Sequence, residues 1–198
     1  MKTERRIPLL AMGLLLALAP MASADCSISG ISTAEPNPDD PAWGDWKYTI
    51  EMSWDNLEMA HGLSHWNVLF GAEAQICCDP AYYAFGDSSG VSTGEPDACE
   101  VSYMAELNCA GDPSIPGEEG ALIKFEPIWG DCEPASTGSG IFFFYSDFAP
   151  LPLTEPNELL IFKAAGDACY GSLSGVLPLD CEPTAAEPSN WSTIKSQF

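Results

Sequence analysis

The sequence predicts an all-β protein, an antiparallel β-sandwich braced by disulfides and carrying long polar loops. Three observations predict it. Residues 46–54 (WKYTIEMSW) alternate strictly, with Trp46, Tyr48, Ile50, Met52 and Trp54 on one face and Lys47, Thr49, Glu51 and Ser53 on the other. That is the period of a half-buried strand. Short apolar segments recur along the chain, separated by stretches rich in Pro, Gly, Asp and Ser, which are turn compositions. The eight cysteines form an even set, as a disulfide framework requires.

The chain opens on a leader. Residues 1–6 carry Lys2, Arg5 and Arg6, residues 7–20 (IPLLAMGLLLALAP) are apolar, and Ala22-Ser23-Ala24 follow. A charged start, an apolar run and an A-x-A site make a signal peptide over residues 1–24. The apolar run is shorter than the roughly 20 residues that cross a bilayer, and no later run approaches that length, so no transmembrane anchor is expected. Cys26 lies two residues past the cleavage site, which does not suit a lipid-modified first residue. The mature chain is expected to be secreted, held at the cell surface or kept in the periplasm.

The folded domain is expected over residues 25–181. A strand opens it at 26–32 (CSISGIS), a loop follows at 34–44 (AEPNPDDPAWG), and the alternating strand at 46–54 comes next. Residues 55–61 (DNLEMAH) suit one helical turn and no more. Further strands are expected at 63–70, 99–107, 121–126, 140–148, 158–164 and 169–177, with a long polar loop at 110–120 (AGDPSIPGEEG). Residues 182–198 (EPTAAEPSNWSTIKSQF) change character: Pro183 and Pro188 mark a linker, and Trp191, Ile194 and Phe198 recur at about helical spacing. This ending is either a frayed terminus or a short tag read by export or surface-attachment machinery.

Charge excludes several functions. The formal net charge is −22. Losing the leader removes three of the seven basic residues and only Glu4 of the acids, leaving Lys47, Lys124, Lys163 and Lys195 with no arginine. Phosphate contacts need a basic surface, so nucleic-acid binding is not expected, and adsorption to anionic membranes is disfavoured. The acidity serves solubility, or holds calcium in loops such as Asp39, Asp40 and Asp45 or Asp112, Glu118 and Glu119. Neither group has EF-hand spacing. Calcium is the one cofactor the acidic loops suit, and otherwise none is expected.

Cys26, Cys77, Cys78, Cys99, Cys109, Cys132, Cys169 and Cys181 are all in the mature part. In an exported chain they read as disulfides. Zinc competes poorly, because there is no C-x2-C pair and only two histidines. About a hundred pairings are open. Two local ones suggest themselves, Cys99 with Cys109 and Cys169 with Cys181, each closing a hairpin or loop. Adjacent Cys77 and Cys78 are expected to take different partners.

No catalytic constellation is legible. His61 and His65 stand four apart, but Gly62 occupies the position of the H-E-x-x-H glutamate, and in a strand the two lie roughly 13 Å apart. His65 is expected to be structural, at a strand edge, bonded to a neighbour's backbone. Gly86-Asp87-Ser88-Ser89-Gly90 matches G-x-S-x-G, yet the Val-Ser-Thr-Gly-Glu-Pro after it is no helix, as a nucleophile elbow requires. The motif is expected to be a turn. With so many acids a carboxylate pair for glycoside hydrolysis always suggests itself and has little specificity. No phosphate loop or dinucleotide fingerprint is present. Trp43 (Pro-Ala-Trp-Gly) and Trp129 (Pro-Ile-Trp-Gly) lie in loop-like settings. There they either cap the core or stack on sugar rings.

Trp46-Lys47-Tyr48-Thr49-Ile50, Leu63-Ser64-His65-Trp66, a cysteine-bearing loop, Ile123-Lys124-Phe125-Glu126 and Ile161-Phe162-Lys163-Ala164-Ala165-Gly166 follow in that order. Over residues 46–177 this resembles a group of exported bacterial surface-associated β-sandwich domains of unassigned activity, with Leu63 to Trp66 as the most specific part. Ala121-Leu122 stand where those domains have glycine, and Ala165 lengthens the Lys-Ala-Gly step. The resemblance implies an Ig-like extracellular domain and no reaction. The expectation is therefore an exported, non-enzymatic structural or interaction module, soluble or surface-attached, with a glycan or protein partner. The alternatives are a carbohydrate-binding module using Trp43 or Trp129, with or without calcium, and a secreted hydrolase.

Overall fold

The computed structural model describes residues 27–55, 63–70, 78–95, 97–117, 120–153, 157–164 and 167–178, with backbone only at 157–159, 161–164 and 167. The leader, residues 56–62 with His61, Cys26, Cys77, Glu118, Glu119, Cys181 and the 182–198 tail lie outside them. No helix among the described residues is long and apolar enough to cross a membrane.

The described chain is built of strands: β1 (Ser27–Pro36), β2 (Trp46–Asp55), β3 (His65–Leu69), β4 (Tyr83–Ala84), β5 (Gly90–Glu95), β6 (Glu100–Asn108), β7 (Leu122–Pro127), β8 (Glu133–Pro134), β9 (Gly138–Ser146), β10 (Leu151–Pro152), β11 (Asn157–Ala164) and β12 (Asp167–Leu177). All eight strands expected from the sequence are present, with ends shifted by up to four residues. β5 and the two-residue strands β4, β8 and β10 carry too short an alternation to be read in advance.

The strands form one curled, mixed sheet. Its order runs β9-β2-β1-β12-β11-β3-β7-β6-β5, and β5 pairs back onto β9 through Gly90↔Phe142, Val91↔Ile141 and Ser92↔Gly140. The hydrogen-bonded ring thus closes on itself, which leaves its long strands without a free edge. This is one curled sheet where two packed antiparallel sheets were expected, and it is mixed because of one ladder. β1 and β12 run parallel, in the register Ser29↔Ser172 to Ser32↔Gly175. Antiparallel neighbours can be joined by short turns, whereas this ladder joins the first strand to the last and completes the ring.

The alternation of β2 carries through as read: Tyr48, Ile50, Met52 and Trp54 are buried and Glu51 and Ser53 are exposed. The interior is filled by aromatic rings. Trp66 stacks on Phe125 at 4.2 Å between centroids and meets the edge of Phe142 at 4.5 Å. Tyr48 stacks on Phe144 at 4.9 Å. Two of the buried rings set their polar ends on backbone acceptors: Tyr48 Oη donates to Phe148 O at 2.8 Å, and Trp54 Nε1 to Ala135 O at 2.9 Å. Such partners are what allow large amphipathic rings into a core.

Two disulfides join described residues, Cys78–Cys109 and Cys99–Cys132. Cys169 is also disulfide-bonded, to a partner outside them. The expected pairing of Cys99 with Cys109 is corrected. The two cysteines flank β6 rather than a loop, and a nine-residue strand holds its ends roughly 30 Å apart. The expected Cys169–Cys181 pairing falls on a residue outside the described set.

Candidate functional site

Three places gather chemistry. The first is a buried polar cluster beside β3. Ring side chains of this strand alternate, so Trp66 and Val68 enter the core while His65 and Asn67 point outward. The outward pair is nonetheless buried, because the segment that follows β6 folds back over this face and brings Asp112, Ser114 and Ile115 onto it. His65 Nε2 lies 2.7 Å from Asp112 Oδ2. Asn67 Nδ2 donates to the same oxygen at 3.1 Å. Ser114 donates to Asp112 Oδ1 from its backbone N at 2.9 Å and its Oγ at 2.7 Å. Ser64 Oγ lies 2.9 Å from His65 Nδ1.

The electrostatics fix the protonation of this cluster. Burial lowers the pKa of His65, outweighing the attraction of Asp112, so the imidazole is neutral at pH 7. Burial acts to raise the Asp112 carboxyl. The hydrogen bonds from Ser114 and Asn67 and the proximity of His65 overcome it and hold the carboxyl at about 2. A neutral imidazole facing a carboxylate must carry its proton on Nε2, so Nδ1 accepts from Ser64. His65 therefore differs from the expected edge histidine. Its strand lies inside the ring, between β11 and β7, and its partners are side chains.

Ser64, His65 and Asp112 have the residue types of a hydrolytic triad, without its geometry. In that triad the nucleophile faces Nε2 and the carboxylate faces Nδ1; here the two are exchanged. His65 is 5% exposed and Asp112 1%.

The Gly86–Gly90 motif leads straight into a strand, β5, and Ser88 Oγ donates to Gly90 O at 3.3 Å. Nothing in its surroundings makes an elbow. Among the described residues no three His, Cys, Asp or Glu side chains converge as a metal site would need. Asp39 is committed to Lys47 Nζ at 2.7 Å and to the Tyr145 hydroxyl at 2.6 Å. Asp40 accepts from Ala42 N at 2.9 Å, which caps the short turn Pro41–Trp43.

The second place is that turn. Asp40-Pro41-Ala42-Trp43 recurs as Asp79-Pro80-Ala81-Tyr82, again with the aspartate capping a single 3-10 turn. Each turn sets an aromatic ring on the end of β9. Trp43 lies 5.0 Å from Tyr145, and Tyr82 lies 5.0 Å from Phe148. Lys47 completes the patch, with Nζ 5.0 Å above the Phe143 ring. Trp43 packs against Tyr145 and is 37% exposed. Trp129 is 61% exposed and follows β7. Through the antiparallel ladders β9–β5–β6–β7 it falls at the opposite end of the ring from Trp43. The two tryptophans do not form one platform.

The third place is an open groove of about 820 Å³ on the outer surface of β12, β1, β2, β9 and β5, rimmed by Ala98 to Glu100. Its floor is two rows of side chains in register across the strands. One row is Ser172, Ser29, Ser53 and Ser139. The other is Ser174, Ile31, Glu51, Ile141 and Val91. Gly140 lets β5 close in beside β9, since a Cβ there would stand 2.8 Å from the Val91 carbonyl oxygen. No lysine lines the groove. The outward half of β2 was legible as a polar face. Its juxtaposition with β12 and β5 was not, because it depends on the parallel ladder and on the closure of the ring. No protein-family model matches the chain, and neither a curated protein nor a solved structure shows significant similarity to it.

Proposed function

We propose that this chain is an exported, non-catalytic interaction module, akin to the Ig-like surface-associated domains its Leu63–Trp66 strand resembles, with the outer groove as its binding face. The observation that carries this reading is the separation of the groove from the His65 cluster and from the Gly86–Gly90 motif. His65 and Asp112 are buried where the covering segment meets β3, and neither they nor Ser64 and Ser88 line the groove. The groove itself offers hydroxyls, methyl groups and the carboxylates of Glu51 and Glu100, and no histidine or lysine lines it. Disulfides fit an oxidising compartment, in keeping with the leader at residues 1–24. The 182–198 tail, in this reading, decides between release and retention at the surface.

The test is a panel of ester, glycoside and peptide substrates offered to the mature, oxidised protein. No turnover is expected. Turnover lost in Ser64→Ala, Ser88→Ala or a single Asp or Glu variant would overturn the reading. The exposure of Trp129 favours a second reading, glycan binding by that ring. A glycan array bound by the protein and not by Trp129→Ala would support it.

A further inference from the structure

We infer that the groove takes an extended cationic peptide segment of a partner protein, one whose basic residues alternate with aliphatic ones. This rests on the groove being the binding face. Ile31, Glu51 and Ile141 stand side by side on neighbouring strands. Ile31 is 59% and Ile141 50% exposed, unusual for isoleucine on a sheet. Adjacent strands are about 4.8 Å apart, so the two isoleucines flank the carboxylate at the reach of one lysine side chain. A lysine laid there covers both with its aliphatic stem and sets its ammonium on Glu51.

The second carboxylate, Glu100, stands on the rim. Both glutamates are exposed, and neither belongs to an ion pair among the described residues. The serine row supplies hydroxyls that can donate to or accept from a peptide backbone. Charge narrows the class further. An anionic ligand would meet Glu51 and Glu100 within a chain of net charge −22, whereas a cationic one is drawn in. No aromatic ring lines the groove, so the stacking surface that a pyranose ring favours is absent from its lining. The ring's long strands have both edges paired, so the peptide cannot join the sheet as an extra strand. Recognition must come from side chains.

The experiment uses the mature, oxidised chain and a fluorescent twelve-residue peptide of alternating lysine and valine, read by anisotropy. Saturable binding is expected, weakening at least tenfold from 50 to 300 mM NaCl. The Glu51→Gln/Glu100→Gln variant is expected to lose at least tenfold in affinity. Glu35→Gln/Glu106→Gln changes the net charge equally outside the groove and is expected to stay within twofold. Ser53→Tyr, which fills the floor, is expected to lose binding while keeping the circular dichroism of the parent. Absence of binding, equal losses in the two charge-matched pairs, or full affinity in Ser53→Tyr would overturn the inference. A neutral hexasaccharide that binds and is displaced by Ser53→Tyr would also overturn it, while leaving the interaction-module reading intact. Turnover in the substrate panel would remove both.

Discussion

His65 Nε2 and Asp112 Oδ2 lie 2.7 Å apart, and this contact fastens the segment after β6 to the outer face of β3. In the same segment Ile115 is 2% exposed, and its backbone N donates to Asp112 O at 2.9 Å. A buried group that loses its partner bears its full desolvation cost, so each bond to Asp112 counts for more than its own strength.

The cluster makes stability fall in acid, in two windows. His65 has a lowered pKa when folded. The unfolded chain therefore takes up the proton first, and stability declines as pH drops through about 6.5. Asp112 is held at about 2 against an ordinary 3.8. Its contribution, about 2 kcal/mol, is present above pH 4 and is lost as pH falls toward 2. Urea midpoints at pH 7.5, 5.5 and 3.5 are expected to fall in order. In His65→Gln the decline between pH 7.5 and 5.5 should shrink. An unchanged decline there would place the sensitive group elsewhere.

Asp112→Ala is expected to cost about 2–4 kcal/mol, because it strands His65, Asn67 and Ser114 together. Hydrogen exchange should show where the loss falls. Amides of residues 112–115 are expected to exchange faster, with the core strands β2 and β9 little changed at low denaturant. Uniform acceleration across the fold would contradict a local clasp.

Removing the Cys78–Cys109 bridge as a double alanine variant is expected to cost about 3–4 kcal/mol. The bridge spans 31 positions, and the entropy it withholds from the unfolded chain grows with that loop. Thermal unfolding of the variant against the oxidised parent measures the difference. A shift in melting temperature below a few degrees would mean that the unfolded chain is already compact there.

Two backbone positions should respond in opposite directions to small changes. Asp97 and Ala98, between β5 and β6, have φ of 64° and 54°. Left-handed alanine costs about 1 kcal/mol that glycine does not incur. Ala98→Gly is therefore expected to stabilise by about 0.5–1 kcal/mol. Gly175 has φ of 104°, and a Cβ there would overlap the carbonyl oxygen of Ser32 across the parallel ladder. Gly175→Ala is expected to destabilise by more than 2 kcal/mol and to loosen β1 from β12. Chemical denaturation of both variants beside the parent checks the signs.

The candidate sites differed in how far residues alone could reveal them. Trp43 and Trp129 were identifiable as loop tryptophans, since Pro and Gly flank them. That they lie at opposite ends of the ring depends on the direction of every strand between them. His65 was identifiable as structural. Its partner is 47 positions away in a loop with no regular pattern, so Asp112 read as a calcium-loop acid beside Glu118 and Glu119 and not as a partner of His65. The groove gave no signal of its own. Its serines and isoleucines look like ordinary outward residues until five strands set them side by side.

By itself the sequence determined the class of structure, the strands long enough to show a period of two, the strongly acidic balance of charge and the readiness of the cysteines to pair. These are local or compositional properties, set by side-chain alternation, turn residues and charge. Tertiary structure alone decided the rest. It determined which cysteines meet, that the first and last strands run parallel, that β5 closes the ring onto β9, and that a carboxylate stands between two exposed isoleucines. Each of these depends on residues tens of positions apart, and such pairs become neighbours only when the whole chain buries its aromatic face at once.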